Sequence, residues 1–105
     1  MNNNLVTVNL ASEGGVIRKS VFYQYDYGIK LRLENTPDCS LLVEFCNYGD
    51  KEIKHDELFT GDDILIPTDL LLDGRDLWIF ISATGSDYSK TLKEIIVKFI
   101  GRPSR

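Results

Sequence analysis

Three kinds of residue in this chain are suited to chemistry: one histidine, two adjacent carboxylate pairs, and two cysteines. A nucleophile needs a base within hydrogen-bond reach, and at neutral pH His55 is the only side chain fitted to that work. It sits in Lys51-Glu52-Ile53-Lys54-His55-Asp56-Glu57, a charged run of the kind that forms a solvated loop, so it reads as a surface histidine. Asp56-Glu57 and Asp62-Asp63 have the residue types to bind a cation or share a proton. In a strand, however, adjacent side chains point to opposite faces, and no regular oxygen spacing of a calcium loop surrounds either pair. Asp62-Asp63 follows Gly61 and precedes an apolar run, where turn acids are expected. Cys39 and Cys46 lie on a stretch that reads as extended, which puts them about 20 Å apart at ~3.3 Å per residue. A disulfide needs Cα atoms within about 7 Å, so two unbridged thiols are expected. One histidine and two cysteines make no zinc-binding set. Gly14-Gly15 and Thr84-Gly85-Ser86 lack the lysine and helix of a phosphate loop and read as turns. The sequence therefore predicts no catalytic residue, no metal and no cofactor.

Aromatic residues are the other candidates. Tyr23, Tyr25, Tyr27 and Trp78 have the types to form a platform for a sugar or peptide, although aromatics at strand spacing more often face a core.

The elements that position these residues are strands. Val6, Val8 and Leu10 alternate with polar residues, and Val16-Ile17 opens a second segment after Glu13-Gly14-Gly15. From Val21 to Leu33 one parity holds Val21, Tyr23, Tyr25, Tyr27, Ile29, Leu31 and Leu33, and the other holds Gln24, Asp26, Lys30 and Arg32. Period two puts these sets on opposite faces of a sheet, with a bend or bulge expected at Gly28. Asn35-Thr36-Pro37-Asp38 is a turn by composition. Leu41-Leu42-Val43-Glu44-Phe45 reads as a strand ended by Asn47-Tyr48-Gly49-Asp50, and a short edge strand is expected around Ile53. Ile64-Leu65-Ile66 forms a short buried strand closed by Pro67. Residues 68–74 form one helical turn, capped by Thr68 and ended by Gly74. Leu77-Trp78-Ile79-Phe80-Ile81 is apolar on both parities, the mark of a central strand or of one whose outer face is covered. Over residues 91–100 the periodicity leaves helix and strand both open: Leu92, Ile95, Ile96 and Phe99 have helical spacing, while Ile95, Val97 and Phe99 share a strand face.

At 105 residues with 43% hydrophobic and 27% charged side chains, the chain has the size and balance of one ordinary globular domain, here 1–105. A net charge of −4 disfavours nucleic acid and anionic membrane surfaces as partners. Met1-Asn2-Asn3-Asn4 carries none of the charge of an export signal, and no apolar stretch approaches the length of a spanning helix, so synthesis in a cytosol is expected. Several short strands separated by turns predict an antiparallel sandwich or small barrel.

Val21-Phe22-Tyr23-Gln24-Tyr25-Asp26-Tyr27-Gly28 resembles the tyrosine-rich "YQYDYG" segment of a family of small N-terminal domains. These occur in tail, baseplate or head-fibre proteins of phages and prophages of Gram-positive bacteria. The likeness continues in order through Val43-Glu44-Phe45-Cys46-Asn47, Ile64-Leu65-Ile66-Pro67 and Leu71-Leu72-Asp73-Gly74. Leu77-Trp78-Ile79-Phe80-Ile81 is similar to the family's "AWIFL" strand, Thr84-Gly85 to its "HTG", and 97–103 to its closing strand and "RRP" exit. The chain departs from the family at Ala83, where the histidine of "HTG" would stand. It departs again at Arg105, where family members continue into a helical stalk or fibre.

The resemblance implies an all-β fold, an antiparallel β-sandwich of immunoglobulin-like or jelly-roll-like kind, with one short helical turn near 68–74 and a strand over 91–100. It also implies a non-enzymatic virion protein, assembled in the host cytoplasm. Its partners would be capsid, tail or fibre subunits, or further copies of itself. Docking would use apolar side chains on the second face of apolar-rich strands: Phe22, Leu42, Trp78 and Phe80, or their opposite-parity neighbours if the faces are reversed. A carbohydrate-binding module that recognises host-surface glycans is the alternative, and a small enzyme a distant third.

Overall fold

A computed structural model describes residues 5–11, 15–23, 28–72 and 74–100. The strands are β1 (Leu5–Asn9), β2 (Val16–Tyr23), β3 (Lys30–Glu34), β4 (Ser40–Asn47), β5 (His55–Leu58), β6 (Ile64–Leu65), β7 (Leu77–Thr84) and β8 (Ser89–Ile100), with one helix, α1 (Thr68–Leu71), between β6 and β7. They form two sheets, one of three strands in the order β1-β3-β6 and one of five in the order β2-β8-β7-β4-β5. The inner faces pack on each other as a sandwich. Val6, Val8, Leu31, Leu33 and Ile64 come from the small sheet, and Leu41, Val43, Phe45, Leu77, Ile79, Ile81, Ile95 and Val97 from the large one; all are buried in one cluster. The chain is thus all-β with one short helix, and 91–100 is strand. In that strand Ile95 and Val97 fill the core while Ile96 faces the other way.

Alternation builds these strands because every second side chain enters the same interior. β3 runs exposed, buried, exposed, buried, exposed, with Leu31 and Leu33 inward and Lys30, Arg32 and Glu34 outward. β7 lies at the centre of the large sheet, between β8 and β4, as its apolar character on both parities predicts.

Four expectations need correction. The sandwich is mixed rather than antiparallel, since β1 pairs with β3 and β2 with β8 in parallel. The reason is the route of the chain: β2 lies in the opposite sheet, so β3 returns beside β1 by a crossover instead of a hairpin. The alternating run from Val21 to Leu33 is not one bent strand, because its ends belong to different sheets. Gly28 stands at φ +71°, a left-handed conformation that costs glycine little, and the next residue, Ile29, is already buried. Tyr25 and Tyr27 lie outside the described residues. The edge strand expected near Ile53 falls at His55–Leu58 instead. Finally, Thr68 is the first residue of α1, with Pro67 at its N-cap and no side-chain capping bond. Gly74 beyond the helix has φ +84°.

Candidate docking surface on the outer sheet face

The five-stranded sheet has a second face, turned away from the core, and register decides what stands on it. Directly opposed residues of neighbouring strands share a face. Cys46 is opposite Trp78, and Trp78 opposite Ile96; Glu44 is opposite Phe80, and Phe80 opposite Glu94; Leu42 is opposite Ser82 and Leu58. None of these residues shares a side with the inward-facing Leu41, Val43, Phe45, Leu77, Ile79 and Ile81, so all stand on the outer face. Leu42, Trp78 and Phe80 are half-buried there, and Leu58 is 60% exposed. The sequence-predicted residues Leu42, Trp78 and Phe80 are therefore brought together on one surface. The side chain of Phe22, in β2, lies outside the described residues.

Trp78 organises the upper part of this face. Its ring centroid is 4.7 Å from that of Tyr48 and 4.9 Å from that of Phe80, both at tilted angles favoured by aromatic quadrupoles. The indole Nε1–H donates to Glu94 Oε2 at 2.7 Å. Cys46 and Ile96, on either side of Trp78, are only 1% and 5% exposed although they face away from the core. Burial, followed by the Asp50 carboxylate, pushes the Cys46 thiol above its ordinary range.

The loop after β4 closes over one side of this aromatic group and leaves a cleft of about 230 Å³ lined by Cys46, Asp50, Lys51, Glu52, Ile53, Trp78 and Phe80. The loop is held at its base. Asn47 is buried, and its Nδ2 donates to the carbonyls of Leu70 (3.0 Å) and Arg75 (3.4 Å). The Asn47 N–H donates to Asp50 Oδ2 at 2.9 Å, and Arg75 Nη2 lies 2.9 Å from Asp50 Oδ1. That backbone N–H, with help from Arg75, holds the Asp50 carboxyl below its usual range.

Of the polar candidates, Cys46 and Asp56 stand on this face, whereas His55, Asp63 and Cys39 lie apart from it. His55 is on β5 rather than in a loop, opposite the inward-facing Phe45, and its Nε2 is 2.9 Å from Asp69 at the start of α1. The pair is a surface one, with side-chain exposures of 40% and 66%. It ties the edge strand to the helix and holds the Asp69 carboxyl low. Asp63 accepts a two-pronged bond from Arg32, Nε at 3.0 Å and Nη2 at 2.8 Å, and so pins the turn before β6 to β3. Asp62 and Asp63 act as turn residues rather than as a pair. Cys39 is exposed just before β4 and Cys46 is buried near its end; both are free thiols. Cys39 borders a hollow of about 460 Å³ at the opposite end of the sandwich, with Leu10, Pro37, Ala83, Leu92 and Lys93 among its walls. Among the described residues, no three His, Cys, Asp or Glu side chains gather as metal ligands. Among the same residues, no helix is long and apolar enough to cross a membrane.

The sequence reading missed Tyr48, Leu58, Glu44, Asp56 and Ile96 as members of this surface. Leu58 carried a signal, being a lone large apolar residue in a polar run; the others become legible only once strand register is known. No protein-family model matches this chain, and no curated protein matches it.

Proposed function

We propose that the chain is a non-enzymatic assembly or anchoring module of a bacteriophage particle, part of a head fibre or of the tail or baseplate. It seats on a neighbouring virion protein through the outer face of its five-stranded sheet. The phage assignment is supported by the sequence resemblance over 21–28 and 77–81. The docking face is supported by one observation: Leu42, Leu58, Trp78 and Phe80 stand together on the surface opposite the core. Large apolar side chains grouped outside a core commonly mark a partner surface. In this reading the protein is a virion component made and assembled in the host cytoplasm.

A carbohydrate-binding role is favoured by the cleft between Trp78, Phe80 and the polar residues Asp50, Lys51 and Glu52. Against it, Trp78 is flanked by two rings and its only hydrogen-bond donor is spent on Glu94. A sugar platform needs an open ring face beside polar groups ready to bond hydroxyls.

The test is the Leu42→Ser/Leu58→Ser double variant. The isolated domain should stay folded, and incorporation into purified particles should fall sharply. Normal incorporation would remove this face from assembly. Saturable binding of wall-derived oligosaccharide at the Trp78 cleft would turn the reading towards glycan recognition.

A further inference from the structure

We infer that the outer face takes a basic, extended protein segment, one that presents Arg or Lys beside an apolar side chain. The inference rests on the docking reading above and names the chemistry of the partner. One cross-strand row of this face runs Asp56, Glu44, Phe80, Glu94. The row ends on the exposed Val16, opposite Glu94; three of its five members are carboxylates, and Phe80 lies between two of them. Glu94 is bonded to Trp78, but the side chains of Glu44 and Asp56 form no ion pair or hydrogen bond with the described residues. They are directly opposed like charges, an arrangement that destabilises a sheet. The next row on the same face begins with an apolar pair, Leu58 opposite Leu42, and continues into the polar Ser82 and Thr91. Along each strand, then, a carboxylate and a leucine stand two residues apart on one surface: Glu44 and Leu42 on β4, Asp56 and Leu58 on β5.

A guanidinium or ammonium group placed over Glu44 and Asp56 relieves their repulsion. Its apolar stem meets Phe80, whose ring face also attracts a cation. A neighbouring apolar side chain of the same segment, two residues on, covers Leu42 and Leu58. An acidic segment, a nucleic acid or an anionic lipid surface would meet repulsion in the same row.

The probe is the peptide acetyl-Leu-Ser-Arg-Ser-Leu-Ser-Arg-amide, in which leucine and arginine alternate on one side of an extended chain, and the control replaces both arginines with glutamate. Titrated into the labelled protein, the basic peptide should move the amide resonances of Glu44, Asp56, Leu58 and Phe80 saturably, and the acidic control should not. Glu44→Gln/Asp56→Asn should weaken the response by roughly tenfold, and about 0.5 M salt should do the same. Glu44→Gln alone should leave the thermal midpoint unchanged or raise it, since it removes a like-charge contact. A fall in the midpoint would overturn the idea that the pair awaits a cation.

No saturable shift up to about 10 mM peptide would overturn the inference, that being weaker than the millimolar edge of useful binding. So would equal response to the acidic control. Sedimentation that shows a salt-sensitive dimer closed over this face would assign it to a second copy, which also overturns it. Glu44→Lys/Asp56→Lys separates this inference from the docking reading. If that variant enters particles normally while Leu42→Ser/Leu58→Ser does not, the basic partner falls and the docking face stands. If both enter normally, both fall.

Discussion

Trp78 illustrates how a side chain outside the core still carries stability. It shields Cys46 and Ile96 on the sheet face that lacks a covering layer, and it bonds Glu94. Because it is half-buried, Trp78→Ala should cost about 2–3 kcal/mol, below the roughly 3–5 kcal/mol of a fully buried Trp. Urea denaturation measures this, and a change under about 0.5 kcal/mol would mean that the cluster contributes nothing to folding. The two thiols offer a second measurement at this scale. Cys39 is exposed, whereas Cys46 is enclosed by Trp78 and its thiol is held protonated by burial. A thiolate-directed alkylating reagent should therefore modify Cys39 in the native protein and reach Cys46 only on unfolding. Trp78→Ala should narrow that difference.

At the scale of elements, the loop that roofs the cleft depends on Asn47. Its side chain bonds the carbonyls of Leu70, in α1, and Arg75, just before β7, and so joins β4 to the helix and to the segment that follows it. Asn47→Ala would leave both acceptors short of a donor, with an expected cost of about 1–3 kcal/mol. Amide exchange should speed up around Tyr48 and Asp50 first, and a variant as stable and as protected as the native protein would contradict this. Period two exposed most strands to sequence reading, because Val6/Val8, Leu31/Leu33 and Leu41/Val43/Phe45 each occupy one inner face. The same periodicity is blind to sheet membership. Val21 and Leu33 share a parity yet lie in separate sheets. It is equally blind to strand direction, so the parallel pairs β1–β3 and β2–β8 left no trace in the pattern. Apolar residues on both parities marked β7 as a strand with a second apolar face, but register and burial were needed to put Leu42, Trp78 and Phe80, rather than their neighbours, on it. Glu44 and Asp56 carry no such mark, because their opposition exists only in the register of β4 with β5.

For the whole molecule, the carboxylates decide how the fold meets acid. Asp50, Asp63 and Asp69 each have a folded pKa below the ordinary carboxylate value, through the Asn47 N–H, Arg32 and His55 respectively. A carboxyl that binds its proton more weakly when folded than when unfolded stabilises the fold fully above the unfolded value, near 3.9. That contribution is lost as pH falls through the lower, folded values. The thermal midpoint should therefore hold from neutrality down to about pH 4 and drop below it. Asp50→Asn should flatten the drop, and an acid limb as steep as that of the native protein would remove Asp50 from the account.

The parallel pairing of β2 with β8 also has a kinetic consequence. Val16 lies opposite Glu94, so this contact closes about three-quarters of the 105-residue chain, whereas β7 and β8 are joined by a short turn in which the Gly85 N–H donates to the Tyr88 carbonyl. Loop-closure entropy favours the hairpin first, and the partner of β2 is synthesised long after β2 itself has emerged. During that interval β2 is a strand without a neighbour, open to capture by the β8 of another copy, which is the route to a domain-swapped dimer. Pulse-labelled hydrogen exchange during refolding should protect the amides of β7 and β8 before those of β2. Refolding at high protein concentration should yield an exchanged dimer that refolding at low concentration does not.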